Sequence, residues 1–409
     1  MEPAVAVQAL TQKRPSFAVG GRPCAALLLF LGLLCGCGQK SGPSIVARWR
    51  IGLGACAMGL DPAGKRLAVV CRRSNDVWVL GPSDGALQGR FDTLPRPRAL
   101  VFHPENNSFY VAEGLSSVAL VSLDDHRVQR SFRPPWPVGA FAYEPGSRRL
   151  FCAQIGVPIL GVYRLKDMHL ETSLIVGGEV QAIAFLGQDA WVVTRQADAL
   201  LRIALKSMSV QAVALAGPEP RGLAIDPAAG LAYIPCRGRA GVTPVLPLGN
   251  SMPNEAQPDD LSPPADAQGG VDRASGFVAG PTDGLGDSLD AEDGPPDALA
   301  SPANGAPLGR YQESGVAVLR LSDVRRVDYI AVEGGPIAVV LAPSRRLLAV
   351  ACDDGMLRLV DLATRKVSAT LDLRGRPGAM LGDPAGSVLW VALRSDKALA
   401  VVSPGKAWR

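Results

Sequence analysis

A unit of about forty residues recurs along this chain and constrains its fold more than any other feature. Its clearest copy is RALVFHPENNSFYVAEGLSSVALVSLDDHRVQRSF, from Arg98 to Phe132. Four short apolar runs, ALVF, FYVA, VALVSL and VQRSF, are separated by His103-Pro104-Glu105, Glu113-Gly114 and Asp124-Asp125. Runs rich in Val, Phe and Tyr and bounded by turn formers read as strands. Their shortness, and the Pro and Gly between them, separate them from buried helix segments. The second run returns as LAVV (67–70), LFCA (150–153), AWVV (190–193), AYIP (232–235), LAVA (348–351) and LWVA (389–392). Aligning Ala68, Tyr110, Phe151, Trp191, Tyr233, Ala349 and Trp390 gives steps of 42, 41, 40, 42, 116 and 41 residues. A period of 40–45 residues with four strands per unit is the mark of a β-propeller. The long step is one repeat plus about 75 inserted residues, so there are seven repeats.

The expected fold is therefore an all-β, seven-bladed β-propeller over residues 44–409. SIVARWRI (44–51) reads as a fourth strand with no blade of its own. ALAVVS (398–403) is the third strand of the last repeat, which lacks a fourth. Pairing the two closes the ring with the N-terminal strand and removes an exposed edge. In such a ring, the loops between strands two and three lie on one face, with the loops between blades. That face is called the entry face below; the other two turns lie opposite.

Residues 1–36 read as a signal peptide. Lys13, Arg14 and Arg22 precede the apolar run AALLLFLGLL (25–34), which is too short to span a bilayer but suits a secretory signal. The segment before it is long for a signal, and Val19 is a candidate start. The run ends in Leu34-Cys35-Gly36-Cys37, which resembles the lipobox of bacterial lipoproteins. That resemblance implies lipidation at Cys37, a tether over 37–43, and location at the outer membrane of a Gram-negative envelope, because Gly rather than Asp follows the cysteine. The alternative is an ordinary cleaved signal.

The inserted segment, about 239–313, falls between strands two and three of blade five. Residues 251–309 hold eleven Asp or Glu and one Arg, so this part is acidic and the rest of the chain carries about +14 of the overall +4. Its Pro, Gly, Asp, Ala and Ser content, almost without aromatics, predicts disorder. DSLDAEDG (287–294) lacks the spacing of a calcium loop. Rooted on the entry face, the segment is expected to compete for any basic site there.

The entry-face loops hold Arg72, Arg73, Arg96, Arg98, Arg195, Arg221, Arg237, Arg239, Arg374, Arg376 and Arg394, with Lys397 and an exposed Trp136. A ring of guanidinium forks would make a mouth for anionic ligands or partners. The bland alternative is solvated loop charge offset by Asp76, Glu113, Asp198, Glu219, Glu333, Asp353, Asp354 and Asp396. The net charge of +4 does not imply nucleic acid.

Three histidines and no CxxC pair in the repeats argue against a zinc or iron centre, and no cofactor is expected. His103, His126 and His169 fall in turns on the face opposite the entry face. His103 holds the place taken elsewhere by Asp61, Glu144, Asp226 and Asp383, so it reads as a turn residue. The first hairpin pairs Leu60 with Leu67, and the same register sets Cys56 opposite Cys71. They read either as a disulfide in an oxidising envelope or as two small buried hydrophobes. Cys236 and Cys352 hold the place of Cys71 in their own blades.

MLRLVDLATRKVSATLDLRGRPGAM (356–380), DPAGKRLAVV (61–70) and DPAGSVLWVA (383–392) resemble the repeats of the YVTN-type surface-layer β-propeller family. The resemblance covers about 46–403 without the insertion. It implies the propeller fold, related also to WD40-like rings, but says little of function, since relatives include cell-surface binding proteins, lactonases, haem d1 domains and quinoprotein-like dehydrogenases. The Asn that often follows "YVT" in the family is replaced near that place by Cys71, Glu113 and Cys352, so no catalytic residue transfers. The expectation is a lipid-anchored, non-enzymatic envelope protein that binds a partner or anionic ligand on its entry face. The alternatives are a propeller enzyme, lactonase-like or haem- or quinone-dependent, and a structural surface-layer component.

Overall fold

The computed structural model describes residues 42–105, 107–144, 146–238, 313–405 and 408. The expected signal peptide, Cys37, Arg239 and most of the inserted segment lie outside them. The described residues form twenty-eight strands and no α-helix. Strand β1 (Ser44–Arg50) leads into blade one, made of β2 (Ala55–Leu60), β3 (Leu67–Cys71), β4 (Asp76–Leu80) and β5 (Leu87–Asp92). Blade two holds β6 (Ala99–Phe102), β7 (Ser108–Glu113), β8 (Ser117–Ser122) and β9 (Val128–Phe132). Blade three holds β10 (Val138–Glu144), β11 (Arg149–Gln154), β12 (Ile159–Arg164) and β13 (His169–Ile175). Blade four holds β14 (Val180–Leu186), β15 (Asp189–Thr194), β16 (Ala199–Ala204) and β17 (Ser209–Leu215). Blade five holds β18 (Ala224–Asp226), β19 (Leu231–Cys236), β20 (Gly315–Arg320) and β21 (Arg325–Ala331). Blade six holds β22 (Pro336–Leu341), β23 (Leu347–Cys352), β24 (Met356–Asp361) and β25 (Lys366–Asp372). Blade seven takes β26 (Pro377–Gly382), β27 (Leu389–Leu393) and β28 (Ala398–Ser403), and its fourth strand is β1.

Every blade is a four-stranded antiparallel sheet, and the seven form a ring, so the protein is a seven-bladed β-propeller. Innermost strands touch their counterparts in the next blade: β2 meets β6 and β26, β10 meets β6 and β14, and β22 meets β18 and β26. The closing pair runs from Ser44 beside Ser403 to Arg50 beside Ala398. The inserted segment leaves after β19 and returns at β20, where Cys236 pairs with Gly315 across the hairpin.

The core is divided into seven wedges, one between each pair of neighbouring blades. Alternation along the strands makes this possible, because successive side chains point to opposite sheet faces. In β3, Leu67, Val69 and Cys71 pack toward blade seven, while Ala68 and Val70 pack toward blade two. The residues whose alignment set the repeat period all face the following blade. Tyr110 packs on blade three, Phe151 on blade four, Trp191 on blade five, Tyr233 on blade six and Trp390 on blade one. Each large ring fills the gap that opens between two sheets diverging from the axis, which is why no single repeat buries its own faces.

In five blades, the turns after the innermost strands work alike. Asp61 Oδ1 accepts the backbone N–H groups of Lys65 and Arg66 at 2.6 and 2.9 Å. Glu144 accepts those of Gly146 and Ser147, both at 2.7 Å. Asp226 and Asp383 make the same kind of contact. His103 Nδ1 accepts the N–H of Glu105 at 3.1 Å, so the imidazole does the work of a carboxylate there. An acceptor at Nδ1 places the proton of the neutral ring on Nε2.

One register expectation is corrected. In five blades the innermost strand slips by one residue near its start, at Ala55/Ala57, Val138/Ala140, Val180/Ala182, Pro336/Ala338 and Pro377/Ala379. Each slip is a β-bulge, which adds a residue on one strand and re-aims its side chain. The bulge in blade one puts Ala55, not Cys56, opposite Cys71. Cys56 turns instead toward blade two, its Sγ 3.6 Å from the carbonyl oxygens of Pro97 and Arg98. Both residues are thiols, not a disulfide.

Cys71, Cys152, Cys236 and Cys352 are fully buried. Burial pushes the Cys236 and Cys352 thiols up to about 12 and raises those of Cys71 and Cys152 as well. The thiolate is the reactive form, so these four are inert in the native state. Titration of the folded protein with Ellman's reagent at mildly alkaline pH is expected to leave them unmodified, and denaturant is expected to release all four. Rapid native reaction at Cys71 would contradict the packing described.

Candidate functional site

The entry face is built from the β-turns between second and third strands and from the links between blades, as the antiparallel order requires. The structure binds three of its arginines into one network. Arg221 follows the link from blade four to blade five, and its Nη2 lies 3.2 Å from Glu219 Oε2. Arg237, just after β19, reaches the same oxygen at 3.8 Å and Asp353 Oδ2 at 2.7 Å. Arg376, in the link from blade six to blade seven, approaches Asp353 Oδ2 at 3.6 Å. Charges thus alternate from Arg221 through Glu219, Arg237 and Asp353 to Arg376, across the loops of three consecutive blades. Among the described residues, this group sets three guanidinium groups beside two carboxylates. Exposed pairs of this kind contribute little singly, about 0–1 kcal/mol. Asp353 is buried, and Arg237 and Arg376 both reach its Oδ2.

The other predicted arginines occupy other loops. Arg195 pairs with Glu179 at 2.7 Å, a carboxylate that the sequence argument did not count. Arg72 and Arg73 form the turn after β3, and their N–H groups donate to the carbonyls of Gly54 and Leu53 at 2.9 and 3.1 Å. Arg96 takes a left-handed backbone conformation (φ 60°), with its N–H donating to Asn75 Oδ1 at 2.9 Å. Arg98 immediately precedes the innermost strand of blade two, its N–H donating to Ala112 O at 3.0 Å. Arg374 is exposed and its N–H donates to Asp372 Oδ1 at 2.7 Å; Arg394 is exposed after β27. The arginines are thus distributed over the face, with one linked group on blades five to seven.

Of the offsetting acids, Asp76 turns inward. Its carboxylate is fully buried and accepts from Ser74 Oγ at 2.6 Å, Trp78 Nε1 at 3.0 Å and Arg90 Nε at 2.8 Å. It holds blade one together and does not neutralise the entry-face arginines. Burial raises the carboxyl of Glu113 above its usual range, although an N–H from Leu94 at 2.9 Å opposes this.

Trp136 is 48% exposed, and two further apolar side chains stand on the same face. Leu94, 51% exposed, lies in the link from blade one to blade two, and Leu115, 84% exposed, sits at the tip of the next turn. Gly114 N–H donates to Pro95 O at 2.8 Å, which lays the two loops against each other. The sequence signal for Leu115 was present: a large apolar residue directly after Gly114, where a turn wants a polar one.

No protein-family model matches the chain, and no curated protein matches it.

Proposed function

We propose that this chain is a lipid-anchored, non-enzymatic β-propeller of a bacterial envelope, held at Cys37, which binds an anionic partner or ligand on its entry face. The linked group Arg221–Glu219–Arg237–Asp353–Arg376 carries the reading. Guanidinium planes fixed by carboxylates are held in set directions, which suits recognition of carboxylate or phosphate. Exposed Leu94, Leu115 and Trp136 add apolar area of the kind found in the centre of binding surfaces. The YVTN-type repeats and the Leu34-Cys35-Gly36-Cys37 lipobox support the envelope location.

The test is fluorescence anisotropy with fluorescein-labelled poly-glutamate as the anionic probe. The full chain is expected to bind it with an affinity that falls as salt rises. Replacing two exposed positions together, Arg374→Gln and Arg376→Gln, is expected to weaken binding about tenfold, roughly 1.4 kcal/mol, while the thermal melt stays cooperative. No saturable binding, or equal binding by the double variant, would sink the reading.

A further inference from the structure

A cavity of about 440 Å³ opens on the face opposite the arginine network, between blades one and two. The turn after β2 and the start of β5 supply one side, and the turn after β6 supplies the other. Its size is that of a site for a small organic molecule.

The charges around it are unevenly committed. Asp61 spends its Oδ1 on the backbone of its own turn. Glu105 is paired with Arg148 at 2.7 Å. Both carboxylates are therefore already engaged, whereas two cationic side chains, Lys65 and Arg66, line the same cavity. Arg66 Nη1 donates to Asn107 Oδ1, which positions the guanidinium across the gap between the blades. Asn107 is held in turn, its amide donating to Asp124 Oδ1.

Ser108 borders the cavity, but its hydroxyl is buried on the blade-three face of β7, shared with Tyr110 and Ala112, and takes no part in it. Phe102 and Leu123 give the same cavity an apolar wall.

We propose that this cavity binds a small organic carboxylate, its charged end taken by Lys65 and Arg66, its apolar body resting on Phe102 and Leu123. Two cations select an anion, and the apolar wall selects one with a hydrocarbon body over a bare inorganic ion. The site lies on a different face from the proposed partner surface and does not depend on it.

The experiment is isothermal titration of the full chain with benzoate, with benzamide as its uncharged isostere and with inorganic phosphate. Saturable binding of benzoate is expected, with benzamide and phosphate each weaker. Arg66→Gln and Lys65→Gln are each expected to weaken benzoate about tenfold, the loss of one charge-assisted contact. Lys206→Gln, at an exposed lysine after β16 that lies outside the cavity, is expected to leave it unchanged, which excludes general attraction to a basic protein. Lys65 is exposed, so its variant keeps the test meaningful if Arg66→Gln fails to fold. The proposal falls if benzoate shows no saturable binding. It also falls if benzamide or phosphate binds as well as benzoate, or if Lys65→Gln binds benzoate like the parent.

Discussion

A chain lacking residues 44–50 is expected to lose its cooperative unfolding transition and to elute as aggregates. β1 is the fourth strand of blade seven, paired with β28 from Ser44–Ser403 to Arg50–Ala398. Removing it strips the cover from Leu399, Ala400, Val401 and Val402, all buried at present, and bares the backbone edge of β28. A naked apolar edge strand pairs with other chains. It also opens the ring, and the wedge between blades seven and one loses the contribution of Ala47 and Trp49. The loss is expected to exceed about 5 kcal/mol, comparable to the whole stability of a typical domain. Urea unfolding followed by tryptophan fluorescence, with size-exclusion chromatography, measures it. A permuted chain that carries SIVARWR after the last strand is expected to recover a single transition, because the pairing needs the strand and not its place in the chain order. A truncated chain as stable as the parent would show that closure does not hold the ring.

Trp390→Ala is expected to cost about 3–5 kcal/mol, the range for emptying a buried aromatic site. Trp390 is 2% exposed and packs from β27 into the wedge against blade one, among Leu67, Val69 and Leu80. Its indole N–H has no partner among the described residues, so packing is what it provides. Trp390→Phe is therefore expected to be mild, within about 1.5 kcal/mol, because removing an orphaned buried donor offsets part of the lost volume. Urea midpoints at unchanged slope report both values. Equal losses for Ala and Phe would mean that the indole N–H has a partner after all. A loss below about 1 kcal/mol for Ala would mean that the wedge collapses to fill the space.

The fold was legible because the period is set by the residues that fill the wedges. Tyr110, Phe151, Trp191, Tyr233 and Trp390 had to be large and to recur at the blade spacing, so their alignment found blade number, closing strand and insertion point together. The turn acids were legible for a related reason, since Asp61, Asp226 and Asp383 each bond within five residues of themselves. The bulges were not. A bulge leaves composition unchanged and moves the register by one, so Cys56 was paired with Cys71 when Ala55 takes that place. The ion pairs were legible only as a pool of charges. Arg237 and Asp353 are 116 residues apart in sequence, and only neighbouring blades bring them to 2.7 Å. Asp76 had been counted as an offset to the entry-face arginines, but its burial and its bond to Arg90 commit it to blade one.

The direction of β1 gives the ring a front and a back. Ser44 lies beside Ser403, at the end of β28 away from the turn that holds Arg394. The chain before Ser44 therefore leaves from the side of His103, His126 and His169. Six residues lie between Cys37 and Ser44, a reach of about 25 Å over seven steps of the chain at full extension. Under the proposed anchoring, so short a leash works like the stem of a sunflower: the histidine side is drawn toward the membrane, and the arginine side is turned to whatever arrives from outside.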